Sequence, residues 1–396
     1  MLRSLYAGIS GLRSHQTMLD VTGNNIANVN TTAFKSSSTQ FQDTLSQLTQ
    51  GAGGPQQGVG GTNPAQVGLG VLVAGISTNF AQGSTQATGK AANLMISGDG
   101  FFVTRNGNQT SYTRAGDFDF DASGRLVSPD GSLVQGWGAV DGVVAEGGLT
   151  GDIQLPINAI SAGEASTSAT LGGNIPSDAA VGTVVVRDIE VFDATGAARS
   201  LSLTLTKTAA GWNVAGADPD NPAGPLTGTT ALTFVDGVQT SAGTMTVGAG
   251  GIAIDLSAVT GSAGLTTMSV TAKDGRDPGT LESYTLTPDG TLIGSFSNGA
   301  SQALARVVLA TFTNPGGLEK TGGSSYRATF NSGEAEIGAP GDAGYGSITS
   351  GALEMSNVDL SQEFTNLIVA QRGFQANARI ITTSDEVLQE LTNLKR

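Results

Sequence analysis

The chain lacks cysteine altogether and is poor in aromatic and charged residues. Of its 396 residues, aromatics make up 5% and charged side chains 13%, and there is one histidine. Without cysteine there are no disulfides, thiolate nucleophiles or thiolate metal ligands. With His15 alone, paired-histidine metal sites and several hydrolase triads are unavailable. His15 has no acidic or nucleophilic cluster near it in sequence, so it reads as a surface or interface residue. Two tryptophans and five tyrosines provide few stacking platforms for sugars. The N-terminal segment has no basic stretch followed by a long apolar run, and no segment is apolar enough to cross a bilayer, so neither a cleaved signal peptide nor membrane insertion is expected.

What is present is glycine, 58 residues of it, and acid, with a net charge of −14. Residues 1–30 carry +1 and residues 351–396 carry −2, which leaves −13 for the middle. An acidic body argues against nucleic acid and against an anionic membrane surface. Aliphatic, glycine-punctuated sequence favours many short strands over one large enzyme core.

The two chain ends differ from the body. Leu2, Leu5, Ile9, Leu12, Gln16 and Leu19 recur at alternating spacings of three and four, a heptad seam with one polar interruption. Leu360, Phe364, Leu367, Gln371, Phe374, Ala378, Ile381, Asp385 and Leu388 repeat the pattern, with Asn357 or Asp359 placed to cap the start of a long helix. A long helix with one narrow stripe cannot bury that stripe alone. Two readings follow: a helical hairpin within the chain, or helices that pair and then bundle with sister molecules, ordering as they assemble.

Between the ends the pattern is β. Leu201, Leu203 and Leu205 alternate with polar residues, as do Ile252, Ile254 and Leu256, and Leu304 to Phe312 reads as a longer apolar strand. Asn106-Gly107, Asp130-Gly131, Asp236-Gly237 and Asp289-Gly290 are hairpin signals. Residues 50–68, rich in Gly, Gln and Pro, read as a flexible excursion. The predicted fold class is α+β with discontinuous, nested domains: long terminal helices pairing as a coiled-coil core and two mainly antiparallel β domains in the middle. Asp117, Asp119 and Asp121 imitate the start of a calcium loop, but Ala122 and Ser128 stand where that loop needs Gly and Glu; strand alternation, with Phe118 and Phe120 inward, explains them better. Gly98-Asp99-Gly100 lacks the helix and Gly-Lys-Ser/Thr element of a phosphate loop and reads as a turn. No catalytic residue, metal ligand or cofactor is implied.

The segment Leu19-Asp20-Val21-Thr22-Gly23-Asn24-Asn25-Ile26-Ala27-Asn28-Val29-Asn30-Thr31-Thr32-Ala33-Phe34-Lys35 resembles the N-terminal signature of the flagellar rod and hook family, with Ala33 where Gly is usual. A second match runs from Gly351 through Asn357 to Gln371, Arg372 and Phe374. Gly98-Asp99-Gly100-Phe101-Phe102 with Tyr112 to Phe118 resembles the family's inner β domain. Asn24, Asn25, Ile26, Ala27, Asn28, Phe34, Lys35, Asn357, Gln371 and Arg372 carry the signature.

The resemblance implies a non-enzymatic subunit of a hollow extracellular tube. Its layers are a terminal helical core (1–30 and 354–396), a connecting segment (31–70 and 335–353), an inner β domain (71–145 and 283–334) and an outer inserted β domain (146–282). Leu2, Leu5, Ile9, Leu12, Leu19, Leu360, Phe364, Leu367, Phe374, Ile381 and Leu388 would form the polymerisation interface. Implied partners are further copies of the chain, the distal rod protein, the hook-filament junction protein, the hook-capping protein and the flagellar export apparatus, which would carry the chain out without cleaving a signal. Within the family, the length points to a hook subunit, with a distal rod protein as the alternative. From other classes, an exported carbohydrate-active β protein or a surface-layer subunit has no use for heptads at both ends.

Overall fold

The computed structural model describes residues 2–55, 57–58, 60–140, 142–156, 160–219, 228–247 and 251–394. It divides into two compact units, one of residues 1–155, 285–293 and 303–396, the other of residues 156–284 and 294–302. The fold is mostly β, with two long helices, one at each end of the chain, that pack together.

In the first unit, helix α1 spans Leu2–Ala27 and helix α2 spans Leu360–Leu394. Helix α1 runs through Thr22-Gly23-Asn24-Asn25, where its apolar pattern fades. Asp359 is the cap of α2: its Oδ1 accepts the backbone N–H groups of Ser361 and Gln362 at 2.8 and 3.2 Å, satisfying donors that the first turn leaves free. Asn357 does other work, described below.

After α1 the chain forms a long two-stranded arm. Strand β1 (Ser37–Asp43) continues into β2 (Ser46–Gln50), and the return path is β3 (Ala65–Gly68) and β4 (Val71–Thr78). Strand β1 pairs antiparallel with β4 and β2 with β3, and a bridge between Gly53 and Thr62 extends the ladder. The excursion expected to be flexible is therefore, over its described residues, a hairpin tip. Hydrogen bonds rather than a core support it, since every described residue from Leu45 to Leu69 is exposed; besides the ladder, Thr49 Oγ1 donates to the Ala65 carbonyl at 2.8 Å.

Four further strands are β5 (Thr85–Ala87), β6 (Leu94–Ser97), β7 (Phe101–Asn106) and β8 (Gln109–Thr113). Strand β7 pairs with β8 through the Asn106-Gly107 turn, and with Leu133–Val140 and Leu309–Thr311. Strand β6 pairs with Ser347–Ser350 and β5 with Ala352–Glu354, so pieces from both halves of the sequence are stitched together by ladders. The core here is aromatic: Phe101, Tyr112, Trp137, Phe312 and Tyr326 pack with Val103, Val308 and Ala310. The apolar run from Leu304 forms two strands, Ser301–Val307 and Leu309–Thr311.

The second unit holds two four-stranded sheets. One is an antiparallel meander of Val184–Phe192, Ala198–Lys207, Trp212–Ala217 and Gly228–Leu232. The other orders Thr244–Val247, Ile252–Thr260, Ser168–Asn174 and Ser269–Lys273, and the pair Ser168–Asn174 with Ile252–Thr260 is parallel, an exception to the expected antiparallel pattern. Leu201, Leu203, Leu205, Ile252, Ile254 and Leu256 all enter one core with Trp212 and Leu171, as strand alternation requires.

Candidate assembly surface

The two terminal helices run antiparallel. Gly8 lies against Ile380 and Ile381, Gly11 against Asn377 and His15 against Gly373, and Asn25 donates to Glu363 Oε1 at 2.9 Å. The contact is built on small residues: a Cβ on Gly11 would lie 2.7 Å from Asn377, and one on Gly373 would lie 2.5 Å from the His15 ring. Glycine is required there because the backbones approach closely. Gly8, Gly11, His15 and Asn25 belong to one heptad row of α1; Glu363, Ala370, Gly373, Asn377 and Ser384 belong to one row of α2.

Neither row is the one expected to pair. The apolar seam sits one residue further along in each helix, a rotation of about 100° around the axis. The packing row was legible as Gly8, Gly11 and Gly373 at helical spacing, but large apolar residues drew attention away from it. As a result, Leu5, Ile9, Leu12, Leu19, Leu367, Phe374, Ile381 and Leu388 are only half-buried, and Leu360 and Phe364 are 40% and 52% exposed. Ile368, Val369, Val387 and Leu391 are exposed as well. The side chain of Leu2 lies outside the described residues.

Of the signature residues, Asn25, Lys35 and Asn357 are tied in at the base of this pair. Lys35, wholly buried, donates from Nζ to Glu354 Oε1 at 2.6 Å and to the Ala81 carbonyl at 2.9 Å. The same Glu354 oxygen accepts the Gly83 N–H, and Arg114 stands 3.8 Å from its other oxygen, stacked over the Phe101 ring. Burial pulls the Lys35 ammonium below its ordinary pKa, against the hydrogen bond and charge of Glu354. Burial likewise pushes the Tyr326 hydroxyl up to about 12. A buried ion pair is costly to form and more costly to break on one side, so this knot ties residues 35, 81–83, 114 and 354 in one geometry. Glu354, Glu363 and Arg114 were not singled out by sequence, because their partners lie far away along the chain.

Two asparagines act as latches. Asn25 donates to the Ser37 carbonyl and accepts the Ser37 N–H, besides holding Glu363. Asn357 accepts the Ser36 N–H and donates to the carbonyls of Asn79 and Ala81. Asn24 and Asn28 are joined side chain to side chain at the end of α1, and Thr31 donates to Asn28. Phe34 lies under the Lys320 ammonium, 5.1 Å from the ring centroid. Ile26 and Phe34 are half-buried, while Ala27, Gln371 and Arg372 are exposed. Ala33 is buried at φ +54°, which explains why glycine suits that position.

The arm docks on α1 through its near end. Ser10 Oγ accepts the Val71 N–H at 3.2 Å, and His15 meets the Phe41 ring edge-on at 5.7 Å. Of the aspartates that imitate a calcium loop, Asp119 pairs with Lys90 and Asp121 with Arg125, and Asp121 also closes its own turn by accepting the Ser123 and Arg125 N–H groups. Phe118 is buried and Phe120 half-buried.

Three family descriptions match the chain. They are a flagella basal body rod protein over residues 5–35, a flagellar hook protein FlgE/F/G D1 domain over 95–169, and a flagellar basal body rod FlgEFG protein C-terminal domain over 349–394. Together they define the axial rod-and-hook class. Over its whole length the chain is 40% identical to flagellar hook protein FlgE of Borreliella burgdorferi and 36% identical to that of Treponema pallidum, with 100% of each protein covered. The chain belongs to the flagellar hook protein family, which is structural and not an enzyme family. The flagellar basal-body rod protein FlgG of Bacillus subtilis is 35% identical with both chains fully covered over 397 residues, so length does not separate hook from rod; the higher identity to hook proteins does. The solved Helicobacter pylori flagellar hook protein FlgE2 aligns at 14% identity and a TM-score of 0.44, covering 66% of this chain and 98% of that one.

Proposed function

We propose that the chain polymerises, outside the cell, into the curved hollow tube of the flagellar hook and serves there as a universal joint that passes motor torque to the filament. The observation that carries this reading is the incompletely covered apolar row beside the α1–α2 contact. On α2 alone it holds Leu360 and Phe364, exposed, and Leu367, Phe374, Ile381 and Leu388, half-buried, and the apolar area each still shows to water is burial forgone. Sister helices supply the missing cover.

In this reading the helical pair lines the channel and is followed outward by the connecting segment, the inner β domain and the outer domain of residues 146–282. The latches at Asn25, Lys35 and Asn357 make the helices and the connecting segment move together. The outer domain closes its core within itself, so its contacts with neighbours are small, polar and wet, able to change partners as the tube bends. The arm of residues 37–78 bridges neighbouring subunits and stiffens the tube. Export by the flagellar apparatus without a cleaved signal, and contact with the distal rod, hook-capping and hook-filament junction proteins, complete the assignment.

Electron microscopy of tubes assembled from the chain tests it. Curved hollow tubes are the expected result, and loss of residues 146–282 changes their curvature or stiffness while assembly persists. Straight tubes would favour a distal rod subunit, and an unfolded deletion variant would refute the layered account.

A further inference from the structure

Phe330 is fully exposed and stands on a hydrogen-bonded turn. It sits in a turn in which the Thr329 N–H donates to Ser332 Oγ at 2.9 Å and Ser332 Oγ donates back to the Thr329 carbonyl at 2.8 Å. The turn is pinned from outside: Thr329 Oγ1 donates to the Gly317 carbonyl, and Asn314 Nδ2 donates to the Asn331 carbonyl. A turn fixed in this way has already lost the backbone freedom that binding would otherwise remove, and it presents the ring to a partner.

The same unit contains a groove of about 500 Å³. Phe34, Ala115, Pro129 and Tyr326 give it apolar walls, and Gly322 and Gly323 leave it open for want of side chains. Asn28, Thr31 and Thr32, immediately after α1, also line it. The Lys320 ammonium at the Phe34 ring marks it as a place suited to a second aromatic face.

Knob and groove lie at opposite ends of one hairpin, Glu319–Gly322 with Ser325–Arg327. The groove takes in the hairpin's tip, whereas Phe330 stands three residues past its base on a turn tied to Asn314 and Gly317. An open helical polymer needs such a head-to-tail pair of unlike surfaces, because a self-matching patch closes into a dimer. We infer that Phe330 of one subunit inserts into the Phe34–Tyr326 groove of a second copy of this chain. The inference rests on the hook reading and adds to it one specific contact between inner β domains.

The cysteine-free sequence makes the test clean. Tubes of an Asn331→Cys/Thr31→Cys double variant, which keeps Phe330, treated with a short bismaleimide, should give a ladder of covalent multimers, since each subunit is joined to two others. Either single variant should stay monomeric. Phe330→Ser should need at least tenfold more protein to assemble, Phe330→Trp should assemble like the parent, and the circular dichroism of both should be unchanged. Tubes that form but give no ladder beyond dimers, or Phe330→Ser assembling like the parent, would overturn the insertion while leaving the hook reading intact. Failure of the unsubstituted chain to form tubes would overturn both.

Discussion

The second unit and the terminal helices treat their apolar residues in opposite ways. In the second unit Leu201, Leu203, Leu205, Ile252, Ile254 and Leu256 all reach one core, and each is at most 1% exposed. In the helices the regular apolar row is turned aside by one residue, and small or polar side chains make the contact. A β sandwich of this size has two inner faces to bury against each other, whereas two helices share one line of contact and must leave the rest of their surface to others. The first arrangement is complete in one molecule; the second leaves apolar surface over.

The largest effect should come from charging the uncovered row. Phe374→Asp replaces the burial of the ring's remaining exposed surface with a carboxylate that must be desolvated, so assembly should fall by more than about 100-fold while β-sheet circular dichroism is kept. If sedimentation shows tubes at the parent's concentration, the row is not the interface. Next comes the knot at the helix base. Lys35→Met strands Glu354 without its main partner and should cost the first unit about 3–5 kcal/mol, read by denaturant titration, with the second unit's transition unmoved. A loss below about 1 kcal/mol would mean that Arg114 and the Gly83 N–H suffice.

A smaller change tests the helix contact itself. Gly373→Ala pushes a methyl group into the His15 ring and should cost roughly 1–3 kcal/mol by overpacking, whereas alanine at Gly23, where a Cβ meets nothing within 4 Å, should be neutral or stabilising. Equal effects at the two sites would refute the small-residue contact. The smallest effect concerns the second unit. Burial works to raise the Asp274 pKa, but hydrogen bonds from Thr167 and Ser168 outweigh it and hold the carboxyl at about 2, below its ordinary 3.8. A lowered folded pKa stabilises above the unfolded value, so this contribution is whole above about pH 4 and is lost as pH falls towards 2. Thermal unfolding across that window should lose part of its slope in Asp274→Asn, and an unchanged slope would show the clamp to be idle.

Much of this was legible beforehand, for local reasons. Strand alternation at Leu201 and Ile252 depends only on a two-residue period, and the terminal helices only on a seven-residue one. The composition at 50–68 is loop-like, and the ladder that joins residues such as Leu48 and Gln66 across the turn was not legible in it. Lys35 and Asn357 stood out as signature residues, but their duties did not, because Glu354 lies 319 positions from Lys35 and Ser36 lies 321 from Asn357.

By itself the sequence determined the chemistry that is absent, the helical ends and the alternating strands, because each depends on residue type and near-neighbour spacing. The tertiary structure decided which helix row faces inward, which carboxylate meets Lys35 and where Phe330 is held. Those choices depend on how closely two backbones can approach and on which distant charge ends up buried beside another, and neither is written in any one segment.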